Sequence, residues 1–480
     1  MGSFMDLGID YTPLILSVNI CRIMINSHHE NITEAMVNKM TKLALLGGTP
    51  VRSEEFPAHN FIGEAEKKKV LSVMESGVLS RFLGVWHDDF YGGDEVRAFE
   101  REWAASYQAT HGISVNSCTS GLYAAVGAAG AGPGDEVIVS PYTMAASVTA
   151  AVAFNAVPVF ADIDPKNFCL SPASIRAKIT RRTKAIIVVH LFGHPADMDE
   201  IMAIANAHNI TVIEDCAQAP CATYKGRPVG TLGHMGVFSL NYHKHIHSGE
   251  GGIIVTNDDN LADRLALIRN HAEAVVAGRE IDSLVNMVGF NFRLGEIEAA
   301  IARVQLAKAP ELVGRRRKNM AYFNRNLPEI AGLTISPAAD YVEHSYYAGV
   351  LNYDAEAVGI PRSLLIKALH AELPETKMRK GHGPLIGGGY VKPIYLYPMF
   401  QKQIAYGELG CPFKCPHYKG EVNYQAGICP ETEMAHANII THEYMQPSLT
   451  ENDIDDVLAA FDKVAGNIDE LRGYGKNIPV

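Results

Sequence analysis

Between residues 113 and 255 the chain alternates short apolar runs with small-residue or amphipathic stretches of helical length. No other feature restricts the possible folds as strongly. Residues 113–115, 137–139, 157–161, 211–213, 237–239 and 253–255 read as short strands. Residues 185–191, AIIVVHL, form an unbroken apolar run. Residues 120–129, 144–154 and 198–208 read as the helices between them, and Gly132-Pro133-Gly134-Asp135 as a turn. Strands with no polar face are buried on both sides, which predicts a mostly parallel sheet covered by helices, an α/β fold. Past Val304 the alternation weakens. We therefore expect a large domain over residues 43–304, a smaller α+β domain over 305–480, and an N-terminal extension over 1–42. In parallel sheets, ligands gather at the carboxyl ends of the strands. That rule directs attention to Asn116–Ser120, Asp215–Gln218 and Ser239–Lys244.

Composition removes several function classes. The 480 residues carry a formal net charge of −11. This is the wrong sign for a protein that tracks nucleic-acid phosphates. The one basic run, Arg315-Arg316-Arg317-Lys318, reads as a solvated helix face. The apolar stretch at residues 14–25 is interrupted by Asn19 and Arg22 and is shorter than the about 20 residues a spanning helix needs, so no membrane segment is expected. Met36 and Met40 are alternative starts. Eight cysteines scattered over so long a chain suit a reducing, cytoplasmic compartment rather than a disulfide scaffold. Cys411, Cys415, His417, Cys429 and His436 are metal-ligand types without paired zinc spacing, and we read them as ordinary loop residues.

Three segments, each following a strand, carry complementary chemistry. Asn116-Ser117-Cys118-Thr119-Ser120 precedes a helix, and a helix N-terminus offers free N–H groups to a phosphate. The same residue types also serve as plain caps. Glu214-Asp215 ends a buried strand, where a carboxylate needs a partner. A protonated pyridine nitrogen is one such partner, and a helix cap by Asp215 is the other reading. Gln218 follows three residues later. In the third segment Lys244 lies between a strand and a glycine turn, among His243, His245 and His247. Burial and neighbouring positive charge there predict a lowered amine pKa. The alternating histidines also allow a metal cluster, which we disfavour.

With these segments in place, the chain from about residue 43 onward resembles the DegT-type aminotransferases, fold type I enzymes that use pyridoxal 5'-phosphate to aminate keto sugars and related ketones. Ser239 stands five residues before Lys244, and Gly249-Glu250-Gly251-Gly252 begins five after it, as in the family pattern. Gly47-Gly48-Thr49-Pro50-Val51-Arg52, Gly132-Pro133-Gly134-Asp135-Glu136 and Val189-His190-Leu191-Phe192-Gly193 are also similar. The resemblance implies that Lys244 is the Schiff-base lysine and Asp215 the partner of the pyridine nitrogen. Gln218 would face the ring hydroxyl, and Thr119, Ser120 and Ser239 would hold the phosphate. Met144 stands where an aromatic residue usually stacks on the ring, and a thioether packs differently on a π-face. Cys118 and Gly121 stand where glycine and alanine are commoner. Asn291, in Gly289-Phe290-Asn291-Phe292-Arg293, matches a residue that reaches the neighbouring subunit's cofactor, which implies a homodimer with shared sites. His344 and Tyr346 match positions near the substrate. Residues 381–390, GHGPLIGGGY, and 411–429 lie where substrate loops are expected.

The implied reaction moves an amino group from glutamate or glutamine to a ketone. A nucleotide-linked keto-hexose is the first candidate acceptor, a cyclitol ketone the second and an amino-shikimate-type precursor the third. Two alternatives share the scaffold: a sugar dehydratase and a non-catalytic, cofactor-binding regulator. Dehydratase relatives carry histidine in place of the lysine, so Lys244 counts against the first. No added DNA-binding module supports the second.

Overall fold

The computed structural model describes residues 41–279, 281, 283–377 and 383–475. The apolar stretch at 14–25 and both alternative starts lie outside them. The predicted strands form β1 (His111–Val115), β2 (Glu136–Val139), β3 (Val157–Phe160), β4 (Thr183–Val189), β5 (Thr211–Asp215), β8 (Met235–Ser239) and β9 (Gly252–Thr256). Two short strands, β6 (Thr223–Tyr224) and β7 (Arg227–Pro228), make a hairpin between β5 and β8. The main sheet has seven strands in the order β1-β9-β8-β5-β4-β2-β3. Its pairs are parallel from β8 through to β3, while β9 is antiparallel to both neighbours.

Side chains alternate across the sheet, as the pleat requires. Ile138, Ile186, Val188, Val212 and Phe238 enter one core, while Val137, Val139, Ile187, Ile213 and Val237 enter the other. Both faces are thus apolar, which is why the strands read as unbroken hydrophobic runs. The helix Cys118–Ala128 lies on the second face with Ala145–Ala153. Its small side chains let it sit close to the strands.

The long helix Glu296–Asn326 runs across residue 304. It contributes Ala299 and Ala302 to the first core and Met320 and Phe323 to a third. That third core is built on an antiparallel sheet of β10 (Leu333–Ile335), β12 (Gly349–Tyr353), β14 (Ile439–His442) and β13 (Ile386–Gly388). A two-residue strand, β11 (Val342–Glu343), joins the β6–β7 hairpin.

Two segments pack away from their neighbours in sequence. Leu43 and Phe56 belong to the third core. The Gly47–Arg52 motif wraps a fully buried carboxylate: Glu372 accepts the Ala44 N–H at 2.7 Å, the Val51 N–H at 3.0 Å and the Lys463 ammonium at 2.9 Å. This buried charge is tolerated because it is paired and hydrogen-bonded. Conversely, Tyr395, Phe400, Phe413, Tyr418 and Tyr424 join the second core of the main sheet. The Tyr424 hydroxyl donates to the Pro158 carbonyl at 2.7 Å, covering part of the β3 edge.

Candidate active site

The carboxyl ends of β1, β2, β5 and β8 converge on a cavity of about 300 Å³. The first turn of helix Cys118–Ala128 borders it with Ser117, Cys118 and Thr119, and Ser239 closes the same side. Asp215 and Ser147 form the floor, and Lys244, Tyr347 and Tyr390 the remaining walls. The helix reaches this position because Gly252 lacks a side chain. A Cβ there would stand 2.7 Å from the Cys118 nitrogen, 2.8 Å from the Ser117 carbonyl carbon and 2.9 Å from the Phe238 oxygen.

Asp215 and Glu214 are adjacent acids with opposite fates. Strand alternation sends Glu214 away from the cavity, where its carboxylate accepts the N–H groups of Gly230, Leu232 and Gly233 at 2.6–2.7 Å. His190 Nδ1 accepts the Ala196 N–H at 3.0 Å, so its proton lies on Nε2 and is donated to Glu214 at 2.9 Å. Glu214 is therefore structural. Asp215 accepts the Ser147 hydroxyl at 2.7 Å and the Ala217 N–H at 3.1 Å. Ser147 in turn lies 3.0 Å from the Thr143 hydroxyl. The strand-end carboxylate is buried, oriented, and able to accept a further hydrogen bond from a cavity ligand.

The Lys244 ammonium lies 4.6 Å from the centre of the Tyr347 ring, and among the described residues no carboxylate pairs with it. The three neighbouring histidines diverge. His245 is buried, with Nε2 3.0 Å from the Ser345 carbonyl. Burial pushes its imidazole well down, with Arg316 adding to the effect. His247 is also pushed down by burial, and His243 packs against Tyr242. The expected positive charge from these rings is not delivered by His245 or His247, because desolvation keeps them neutral. Nor do the three gather as metal ligands. Among the described residues, the one grouping with metal-like spacing is His190, Glu214 and Cys216, which the hydrogen bonds above already occupy. Cys411, Cys415, His417, Cys429 and His436 form no such group either.

Of the residues singled out from sequence, Thr119, Met144, Asp215, Ser239 and Lys244 border the cavity. Met144 does so as a residue 57% exposed, and its sulfur accepts the Ala146 N–H at 3.0 Å. Ser120 turns inward instead. Its hydroxyl donates to Asn116 at 2.6 Å and its N–H to Ser117 Oγ at 3.1 Å, so it serves the helix cap. Gln218 stands behind the wall, joined to it through Tyr390. Asn291 is exposed, and its side-chain oxygen accepts Arg293 Nε at 2.7 Å.

His344 and Tyr346 do not border the cavity. Their rings stack on each other at 4.0 Å. Tyr346 adopts a left-handed φ of 53°, and the Tyr347 N–H donates to the Phe192 carbonyl at 2.8 Å. This turn places Tyr347, rather than its two predecessors, beside Lys244. Sequence reasoning missed Tyr347, Tyr390 and Ser147. The first two stand next to segments already noted. A serine within a small-residue helix carried no signal.

Residues 85–413 match the DegT/DnrJ/EryC1/StrS aminotransferase family. The chain belongs to that family. Among its relatives is the spore coat polysaccharide biosynthesis protein SpsC of Bacillus subtilis, 32% identical over 83% of this chain and 94% of that one. Another is a putative L-glutamine:3-amino-2,3-dideoxy-scyllo-inosose aminotransferase of Streptoalloteichus tenebrarius, 34% identical over 90% of this chain and all of that one. DesI, solved in the presence of its TDP-sugar product, superimposes with a TM-score of 0.73 at 25% identity over 91% of this chain and 99% of that one. The protein is thus an aminotransferase on the fold type I scaffold, and aminotransferases of the DegT/DnrJ/EryC1/StrS family generally depend on pyridoxal phosphate.

Proposed function

We propose that this aminotransferase carries pyridoxal 5'-phosphate on Lys244 and transfers an amino group from glutamine or glutamate to a keto sugar or cyclitol ketone. One observation carries the reading. An amine that no described carboxylate pairs with, an oriented buried carboxylate and a helix N-terminus face one cavity. The residues fit the cofactor chemically. Lys244 would hold the aldehyde carbon and Asp215 the ring nitrogen. Thr119, Ser239 and the N–H groups of the helix turn would hold the phosphate. The backbone cradle at Gly252, which a Cβ would fill, lets that turn approach. When bound, the cofactor supplies an electron-withdrawing ring that stabilises negative charge at the amino-bearing carbon. Asp215 would keep the ring nitrogen protonated, and Ser147 holds the Asp215 carboxylate in place. The Lys244 amine, when not joined to the cofactor, would be placed at the cavity wall to hold or move a proton.

The scyllo-inosose relative supports a cyclitol ketone as acceptor and glutamine as donor. The TDP-sugar complex of DesI supports a nucleotide-linked sugar. A half-reaction screen separates them: the chain loaded with the aminated cofactor is offered each ketone, and return of the aldehyde form is read by absorbance. Failure of both ketone classes to restore that form would reject the acceptor reading.

We also infer a homodimer in which Asn291 completes the partner's site. Exposed Leu284, Val285 and Val288 precede Asn291, and exposed Val85 and Trp86 offer further apolar surface, with Arg279 stacked on Trp86 at 4.7 Å. A cytoplasmic setting is supported by the seven described cysteines, which are all free. No described helix is long and apolar enough to cross a membrane.

A further inference from the structure

Behind Asp215 stands a line of two hydroxyls. The turn after β2 supplies Thr143, and helix Ala145–Ala153 begins on Met144, which puts Ser147 in its first turn. Thr143, Ser147 and Asp215 are all buried. Ser147 Oγ lies 2.7 Å from Asp215 Oδ2 and 3.0 Å from Thr143 Oγ1. A hydroxyl has one hydrogen, and an ionised carboxylate can only accept. Ser147 therefore donates to Asp215, so at the second contact Thr143 must donate to Ser147. The line runs one way, and each bond polarises the next toward the carboxylate.

The Ala217 N–H, 3.1 Å from Oδ1, already helps to orient Asp215. What the hydroxyls add is electrostatic. Hydrogen bonds donated to a carboxylate favour its ionised form, and so weaken it as a base. Two other acidic groups border the same cavity, the Cys118 thiol and the Tyr390 phenol. Burial pushes the thiol well up, with the Asp215 charge adding to it, and burial pushes the phenol up as well. Both stay neutral, while Asp215 is furnished with donors suited to a negative charge.

We propose that Thr143 and Ser147 are positioning residues that act through Asp215, weakening it as a base so that the proton it shares with the pyridine nitrogen of pyridoxal phosphate rests on the nitrogen. This rests on the reading of the Lys244 cavity as the cofactor site. A ring that keeps the proton keeps its electron-withdrawing power. Loss of the Ser147 hydroxyl removes one charge-assisted hydrogen bond and should shift the balance between the two proton positions about tenfold toward Asp215.

The test uses the full chain loaded with pyridoxal phosphate that is isotope-labelled at its ring nitrogen. Nuclear magnetic resonance of that nitrogen reads its protonation, and melting temperature checks folding. In Ser147→Ala the signal should move toward that of a deprotonated pyridine. Thr143→Val, nearly unchanged in shape, should move it the same way by less, and it carries the test should Ser147→Ala not fold. Ser147→Thr, which keeps the hydroxyl, should stay at the wild-type position. The Thr143→Val, Ser147→Ala double variant should move no further than Ser147→Ala alone, because Thr143 acts through Ser147. An unmoved signal in Thr143→Val or in a folded Ser147→Ala would overturn the proposal. So would Ser147→Thr moving as far as Ser147→Ala, which would assign the effect to packing. A wild-type chain that takes up no pyridoxal phosphate would instead sink the cofactor reading, and this proposal with it.

Discussion

Lys244 and Asp215 differ in how they meet the cavity, and so in how their loss should read out. Lys244→Ala removes the amine proposed to carry the cofactor. Borohydride should fix the cofactor to a peptide containing Lys244 in the wild type and to none in the variant, and turnover should be lost. Full turnover by the variant, or a labelled peptide without Lys244, would refute the assignment. Asp215→Asn keeps the shape and the Ser147 contact but removes the charge. The half-reaction should slow by roughly two or more orders of magnitude with little change in melting temperature; near wild-type rates would reject the role. His442 makes a prediction about pH. Burial lowers its imidazole from 6.5 to about 3. Across that window the folded chain holds the ring neutral, while the unfolded chain takes up a proton near 6.5. Stability is therefore whole above that pH and falls as the pH drops toward about 3. The slope from this ring is at most about 1.4 kcal/mol per pH unit. Urea midpoints measured at about pH 7 and about pH 4 should lie closer together in His442→Gln than in wild type. An equal gap in the two proteins would reject the assignment.

At the scale of the elements, the proposed cofactor site depends on how closely a helix end can approach a strand. Gly252→Ala places a methyl group against three backbone atoms, all within 3 Å. No flexible side chain can yield there, so helix Cys118–Ala128 or β9 must shift. We expect a stability loss of about 1–3 kcal/mol and cofactor affinity weakened by roughly tenfold or more, since a helix end displaced from the phosphate loses its N–H contacts. Equilibrium dialysis and denaturant unfolding measure the two effects separately; unchanged affinity would mean that the turn does not hold the phosphate. Most main-sheet strands were legible in the sequence to within a few residues, because burial on both faces leaves an unambiguous apolar run. The direction of β9 was not. Its residues satisfy an antiparallel pairing as well as a parallel one, and only the path of the chain through the Lys244 segment reverses it. Likewise, residues 144–154 read as a helix, but nothing in their periodicity showed that Ser147 would meet Asp215.

For the whole molecule the central prediction concerns assembly. If Asn291 serves the partner's site, a Lys244→Ala chain mixed with an Asn291-disrupted chain should regain activity, because one hybrid site has both residues intact. Dilution that splits the dimer should release cofactor and activity together. Confirmed heterodimers with no rescue, or a fully active monomer in sedimentation, would reject shared sites. The candidate site itself divides by the range of the interactions that build it. Asp215, Ser239 and Lys244 were visible from sequence because a strand end and a glycine turn are local signals, set by residues a few positions apart. Tyr390, Tyr347 and the inward turn of Ser120 were not. Tyr390 reaches Gln218 across 172 positions, and Tyr347 reaches Lys244 only because Tyr346 takes a left-handed turn pinned to Phe192. Local periodicity says which residues will be buried and in what kind of element. Which side chains then share a cavity depends on contacts between distant segments, and these arise only when the sheets and their loops pack against one another.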